Sequence, residues 1–478
     1  MRLEHISDSR RRLAYPILVG GSIGALVWTL RMGIGLSAPH QDFTNAPAAS
    51  ASSTAAVFHL AVFLAQFVAV ILVSRGVGQL MRRIGQPQVV GEMVGGLLLG
   101  PSVLGFFAPG VYAMLFPIGS VRFLNAVSQL GVLLFMFLVG LELDLDALRG
   151  RGHVVTLTSH AGIAMPLWLG AALAVVLYPR LSSDGVRFVA FALFIGCALS
   201  VTAFPVLARL LAERGWSKTP FGTLAIACAA AADITAWCVL AIVLAIADGR
   251  GWGMGLWLSL AGAVGFVVLM MTLGRRVIAA ALVRTTRRAD LTSDRLAIVV
   301  VVALASAWVT EQLGIHALLG AFIAGLAMPK AEEFVSAITV RLEELLGVAL
   351  LPLFFAVTGL RTNLAMIEGS SMWLLCGLIV LVAIVGKAGG TVMGARASGL
   401  SWRDAASLGA LMNTRGLMEL VILNLGLEIG IITRPLFTMM VLMALATTAL
   451  TAPALTWLRS ERRVTHGARL DAPTVVGP

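Results

Sequence analysis

The chain has 478 residues, of which 59% are hydrophobic and only 12% charged, with a mean hydropathy of +0.93. Soluble domains carry about 25% charged residues, so a soluble enzyme or binding module is excluded and a polytopic membrane protein is indicated. The formal net charge of +11 is not the footprint of a nucleic-acid binder, because the basic residues fall between apolar stretches rather than on one polar domain.

Apolar runs are predicted near 14–34, 57–74, 88–106, 121–141, 153–177, 187–209, 220–247, 255–273, 294–312, 314–329, 345–360, 372–395, 404–427 and 434–458. Such runs match the about 30 Å hydrocarbon thickness when helical, so an all-α polytopic bundle is expected rather than a barrel. The first run follows Arg10, Arg11 and Arg12 and precedes Ala49-Ser50-Ala51, so it reads either as an extra N-terminal span or as a signal peptide. With a cytoplasmic N-terminus, most of the 35 Lys and Arg fall inside, including Arg82, Arg83, Arg209, Arg214, the basic loop Gly274 to Arg295, and Arg459. This positive-inside bias predicts a multi-pass protein of the cell membrane with both termini cytoplasmic. The same loop is rich enough in Arg to meet anionic lipid headgroups, so membrane lipid is an expected partner.

Counting spans from 57–74 as span one, two pairs echo each other seven spans apart. Gly95-Gly96-Leu97-Leu98-Leu99-Gly100-Pro101 in span two resembles Ile323-Ala324-Gly325-Leu326-Ala327-Met328-Pro329 in span nine. Phe137-Leu138-Val139-Gly140-Leu141 in span three resembles Phe355-Ala356-Val357-Thr358-Gly359-Leu360 in span ten. An odd offset sets corresponding segments in opposite orientations, the pattern of an inverted repeat, here about 57–247 and 294–458. The same offset pairs span five, with Ser200-Val201-Thr202-Ala203-Phe204-Pro205, with span twelve, with Met412-Asn413-Thr414-Arg415-Gly416. Both read as interrupted helices at membrane depth, or more plainly as a proline kink and a polar packing patch.

Asp233 is the sole charge in Phe221 to Ile246, and Lys387 the sole charge in Met372 to Ala395. A charge at the centre of a bilayer span costs roughly 2.5 to 3.5 kcal/mol on insertion scales, which points to a path for a proton or small cation. Glu92, early in span two, is a candidate either for a cytoplasmic funnel or for an interfacial structural charge. Arg415 and Glu419 are four apart and share a helix face, which favours mutual pairing. His59, His153, His160 and His316 carry no expected role, and Cys197, Cys228, Cys238 and Cys376 lack metal or disulfide spacing and read as packing residues. No HExxH, CxxC or Walker loop is present, so no catalytic residue and no cofactor are expected.

Ala203 to Glu213, Gly314-Ile315-His316-Ala317-Leu318-Leu319-Gly320, Leu351-Pro352-Leu353-Phe354-Phe355, Gly386-Lys387 and Leu411 to Leu420 resemble, in order, the monovalent cation:proton antiporters, above all the plant cation/H+ exchanger branch and its bacterial relatives. The resemblance implies thirteen spans of the Na+/H+ antiporter fold, here with one extra N-terminal span. The implied division is a tail, extra span and linker over 1–56, a membrane domain over 57–458 with an ion-carrying core and a dimerisation domain, and a short tail over 459–478. About twenty residues follow the last span, so an appended nucleotide-binding domain is not expected. By the same resemblance Asp233 corresponds to the carboxylate that binds Na+ or K+ and the proton, Thr202 to a polar position facing it, Ser200 to the same cavity, and Lys387 to the core lysine. Relatives place a second acid or an Asn before that aspartate, whereas Ala232 stands here, and the usual carboxylate partner of the lysine is missing. The expected activity is exchange of Na+ or K+ for H+ by a homodimer, electroneutral because one carboxylate holds either ion. A channel or an organic-solute carrier on the same frame is the alternative.

Overall fold

A computed structural model describes residues 13–39, 60–117, 119–142, 152–217, 219–247, 254–285, 292–313 and 317–459. The protein is a multi-pass, all-helical membrane protein; among the described residues, eleven helices are long and apolar enough to cross a bilayer. The other three expected spans, 187–209, 314–329 and 404–427, consist of short helices, two of them as broken pairs.

Among the described residues, eighteen α-helices have ten residues or more. They are α1 (Gly21–Gly33), α2 (Leu60–Arg83), α3 (Gln88–Leu99), α4 (Val121–Glu142), α5 (Gly152–Leu181), α6 (Phe188–Ser200), α7 (Phe204–Glu213), α8 (Pro220–Ala247) and α9 (Met254–Leu269). There follow α10 (Arg275–Thr285), α11 (Ser293–Gln312), α12 (Ala317–Ala327), α13 (Glu332–Leu345), α14 (Leu351–Arg361), α15 (Gly369–Ala397), α16 (Trp402–Met412), α17 (Leu417–Glu428) and α18 (Arg434–Arg459).

Two boundaries differ from expectation. The span expected at 345–360 begins at Glu332, because α13 runs through a π turn at Leu346–Leu350 into α14. Glu332 and Glu333 occupy its first turn, where negative charge suits the helix N-terminus, and an apolar-run reading passes over them. Likewise the basic segment after 273 is not a loop from its start: a π turn at Met270–Gly274 carries the helix on into α10. Arg284 to Arg288 of that segment lies partly outside the described residues, and His59 and His316 lie outside them.

The apolar faces assemble around α5, which lies against α15, α6, α8 and α1. The N-terminal run forms a helix on this bundle: the Tyr15 hydroxyl and His160 Nδ1 of α5 share a hydrogen bond of 2.8 Å, and Gly33 abuts the Phe188 ring. Elsewhere α3 lies on α2 and α14, and α4 on α12. Glycines set both of these approaches. A methyl added at Gly359 of α14 would fall 2.0 Å from the Gly96 backbone of α3, and one added at Gly325 of α12 would fall 2.1 Å from the Phe137 carbonyl oxygen of α4. Neither neighbour is a flexible side-chain tip, so the helices must separate. Gly359→Ala is therefore expected to destabilise the purified protein by about 1–3 kcal/mol, read as a lowered melting temperature in detergent. Melting with the parent would show that α3 and α14 do not touch so closely.

Candidate functional site

The break after α6 leaves Val201-Thr202-Ala203 non-helical, with Val201 extended, and the helix restarts as α7 at Phe204. Pro205 then occupies the first turn of α7, where its missing N–H removes no helical hydrogen bond. The break after α16 runs from Asn413 to Gly416. The two breaks cross: the Ala203 amide donates to the Thr414 carbonyl at 3.0 Å and the Thr202 hydroxyl to the Met412 carbonyl at 3.3 Å. A side chain on Gly416 would meet Val206 and Ala203 of the other broken helix and Val89 of α3, so α3 flanks the crossing.

A helix that stops inside a bilayer exposes its last carbonyls, which carry partial negative charge. At the end of α6 two buried cations satisfy them. Arg415 donates from Nη1 to Ala198 O at 3.0 Å and from Nη2 to Leu199 O at 2.7 Å. Lys387, fully buried on α15, donates from Nζ to the next carbonyl, that of Ser200. Arg415 also pairs with Glu419 one turn along, and its own backbone amide and carbonyl are both engaged by the Thr448 hydroxyl of α18, at 2.9 and 2.7 Å. The Ser200 hydroxyl turns back to its own helix, donating to Gly196 O at 2.6 Å with Ile163 O at 3.1 Å.

Opposite this capped negative end lies the positive end of α7, and there Asp233 sits, only 2% exposed. The Phe204 amide and the Lys387 ammonium act on it electrostatically, yet neither carboxylate oxygen has a well-formed hydrogen-bond partner. Buried polar groups are normally satisfied, so an aspartate with neither oxygen in a well-formed hydrogen bond is a candidate ion-binding group. Asn413 Oδ1 and Glu419 Oε1 are also buried and unpaired. The α8 helix is held in place by α5, where Ser159 donates to the Cys228 carbonyl at 2.9 Å. Cys197, Cys228 and Cys376 are buried, whereas Cys238 faces outward.

Asp233, Thr202, Ser200, Lys387, Asn413, Arg415 and Glu419 thus belong to the two broken helices and the two helices that brace them. Glu92 stands at the flank on α3, buried and accepting from Gln88 Nε2 at 3.0 Å. Sequence reasoning passed over Thr448 and the carbonyls of Ala198, Leu199 and Met412. A backbone acceptor leaves no mark in a sequence beyond the break that exposes it.

The description "Sodium/hydrogen exchanger, transmembrane" belongs to a family whose sequence model matches residues 67–459. The chain belongs to this family. Within it, the Na(+)/H(+) antiporter NhaS4 of Synechocystis is 41% identical over 395 residues, covering 82% of this chain and 96% of that protein. Cation/H(+) antiporter 19 of Arabidopsis thaliana is 38% identical over 397 residues, and K(+)/H(+) antiporter 1 of Saccharomyces cerevisiae is 32% identical over 402. The matches cover 83% and 82% of this chain but only 49% and 46% of those two proteins, so the chain spans about half the length of the plant and yeast relatives. Among solved structures, the sodium proton antiporter MjNhaP1 from Methanocaldococcus jannaschii shares the fold with a TM-score of 0.60 at 14% identity, over 83% of this chain and 96% of that one.

Proposed function

We propose that this protein exchanges a monovalent cation, Na+ or K+, for H+ across the cell membrane by alternating access, with Asp233 as the group that holds either ion. The observation that carries this reading is the Asp233 carboxylate, buried at the crossing of two broken helices with both oxygens unpaired. A carboxylate in that setting accepts a proton, or joins the Thr202 hydroxyl oxygen and unwound backbone carbonyls around a small cation, as half-helix sites in transporters do. Lys387 is bound to the Ser200 carbonyl rather than to Asp233, so the carboxylate is not locked in an ion pair. The ammonium stays within electrostatic range, where it compensates the carboxylate when neither ion is bound.

The glycine contacts support the inverted repeat. A two-fold relation exchanging spans two and nine, and three and ten, turns the Gly96–Gly359 approach of α3 and α14 into the Gly325–Gly140 approach of α12 and α4, and both exist. Two halves of this kind, assembled as a homodimer with cytoplasmic termini, let the crossing face one side and then the other.

One carboxylate that carries either H+ or M+ moves no net charge per cycle, so exchange is electroneutral. In proteoliposomes with a pH dye, Na+- or K+-driven proton movement should keep its rate when a potential is imposed with valinomycin. A rate that follows the potential, at about 2.3 kcal/mol per charge per 100 mV, would rule this stoichiometry out. Ion flow without counter-movement of protons would favour the channel reading instead.

A further inference from the structure

Helices α2, α3, α4, α12 and α14 pack on one another as one set, and α5, α6, α8, α15, α16, α17 and α18 as another. Where α14 and α17 end, each set is tied down separately. The Ser102 hydroxyl, just past α3, donates to Thr362 O at 2.9 Å and accepts from the Leu364 amide at 2.9 Å, which holds the end of α14 to the first set. Thr433, just past α17, donates through its hydroxyl to Leu181 O at the end of α5 at 2.9 Å, which holds the end of α17 to the second. Arg361, the last residue of α14, spans the seam: its Nη1 donates to Asn424 Oδ1 at 2.8 Å and to Glu428 Oε1 at 2.9 Å, both on α17. Asn424, only 7% exposed, returns a bond from Nδ2 to the Thr358 hydroxyl of α14 at 2.9 Å and gives another to Leu420 O of its own helix at 2.8 Å. Beside them the Asn363 amide donates to the Thr438 hydroxyl of α18 at 3.2 Å.

We propose that Arg361 is a latch: with Asn424 and Glu428 it holds α17 against α14 and keeps the crossing closed on the side where these two helices end, the outer side in the topology proposed above. The inference rests on the alternating-access reading and adds to it the residue that sets the balance between the two access states. Helix α17 continues from the break at Asn413 to Gly416, so a displacement of α17 along α14 moves the crossing itself, and the seam bonds have to part for it to occur. Arg361 then stays with α14 and the two acceptors stay with α17. The buried Asn424 amide is satisfied only while the two helices keep this register, which makes the closed arrangement a defined state rather than a loose contact. The Arg361 and Glu428 side chains are 22% and 35% exposed, so water replaces their bond when the helices part and the latch releases at low cost. A site that binds from one side only when unlatched shows a weaker apparent affinity on that side, by the fraction of time that the latch is open.

The test measures cation-driven proton movement by the full chain in right-side-out and inverted membrane vesicles, with Na+ and K+ as the probes. Glu428→Gln should lower the half-saturating cation concentration on the outer side by up to about fivefold, the factor equivalent to the 1 kcal/mol that bounds a partly exposed ion pair, and leave the inner side unchanged. Arg361→Gln should shift the same side in the same direction, and adding Glu428→Gln to it should shift it no further, since the two act through one bond. A merely structural role would move both sides together. Equal shifts on the two sides, or none on the outer side, overturn the latch. As a second arm, Thr358→Cys with Asn424→Cys, bridged by ethylene bismethanethiosulfonate, should stop exchange and recover it on reduction with dithiothreitol, while the identically treated parent keeps its rate. Exchange that continues in the bridged protein overturns the latch as well. Exchange by the parent that Asp233→Asn abolishes, with no sided shift in the seam variants, refutes the latch alone, whereas a parent that exchanges nothing refutes the antiport reading, so the two failures are separate outcomes.

Discussion

Asp233→Asn should reduce cation-driven proton movement in proteoliposomes to the level of protein-free vesicles, for Na+ and K+ alike. Asn keeps the shape of the side chain, so packing on α8 is conserved, but it neither takes up a proton reversibly nor offers a charge to a cation. The substitution also relieves a buried carboxylate whose oxygens have no partner, so the variant should fold at least as stably as the parent. Loss of transport together with retained or raised melting temperature would place Asp233 in the transport step itself. Transport that persists in the variant would remove this residue from the centre of the mechanism.

Arg415→Met is expected to give the largest loss of stability. The guanidinium is fully buried, pairs with Glu419, and caps the Ala198 and Leu199 carbonyls. Removing it strands a buried carboxylate and two helix-end carbonyls together. Breaking one side of a buried pair costs about 3–5 kcal/mol, chiefly because the remaining charge is uncompensated. Adding Glu419→Gln to Arg415→Met should recover part of that loss, since the stranded charge is then gone while the two carbonyls remain uncapped. Thermal unfolding of the two variants in detergent measures this. A double variant no more stable than the single would mean that the cost lies in the α6 carbonyls rather than in the pair.

The chemistry of this site was visible in the sequence where a charge stood alone. Asp233 and Lys387 each interrupt an apolar run with no other charge, and that cost in a bilayer marks them before any fold is known. The interrupted helices were legible from Ser200 to Pro205 and from Asn413 to Gly416 because polar residues and proline replace apolar ones there. The Arg415–Glu419 pair forms as expected, but Arg415 lies in the break before α17 rather than on the helix face that the four-residue spacing implied. What could not be read was which long-range partner each group finds. Lys387 meets a carbonyl 187 residues away and Arg415 two carbonyls 216 and 217 residues away, and these acceptors belong to the backbone, which is the same in every residue. The early start of α13 was hidden for a different reason. Its first turns carry Glu332, Glu333 and Arg341, so hydropathy alone separates them from the apolar helix that they continue.

The same asymmetry explains how the site holds opposite charges without joining them. Cations gather at the C-terminal end of α6 and the carboxylate at the N-terminal start of α7, each where the local helix dipole favours it. Three non-helical residues separate the two helix ends. In the proposed exchange, an incoming cation would not first have to break a salt bridge between Lys387 and Asp233.

Competition of a proton and a cation for one carboxylate is tested most directly by calorimetric titration of the purified protein with Na+ and K+ over a series of pH values and in buffers of differing ionisation enthalpy. One proton should leave for each cation bound, and below the proton-binding range of the site the apparent cation affinity should fall about tenfold per pH unit, as linkage requires. Asp233→Asn should show neither effect. Cation binding by the parent protein that is independent of pH and releases no proton would contradict a shared site.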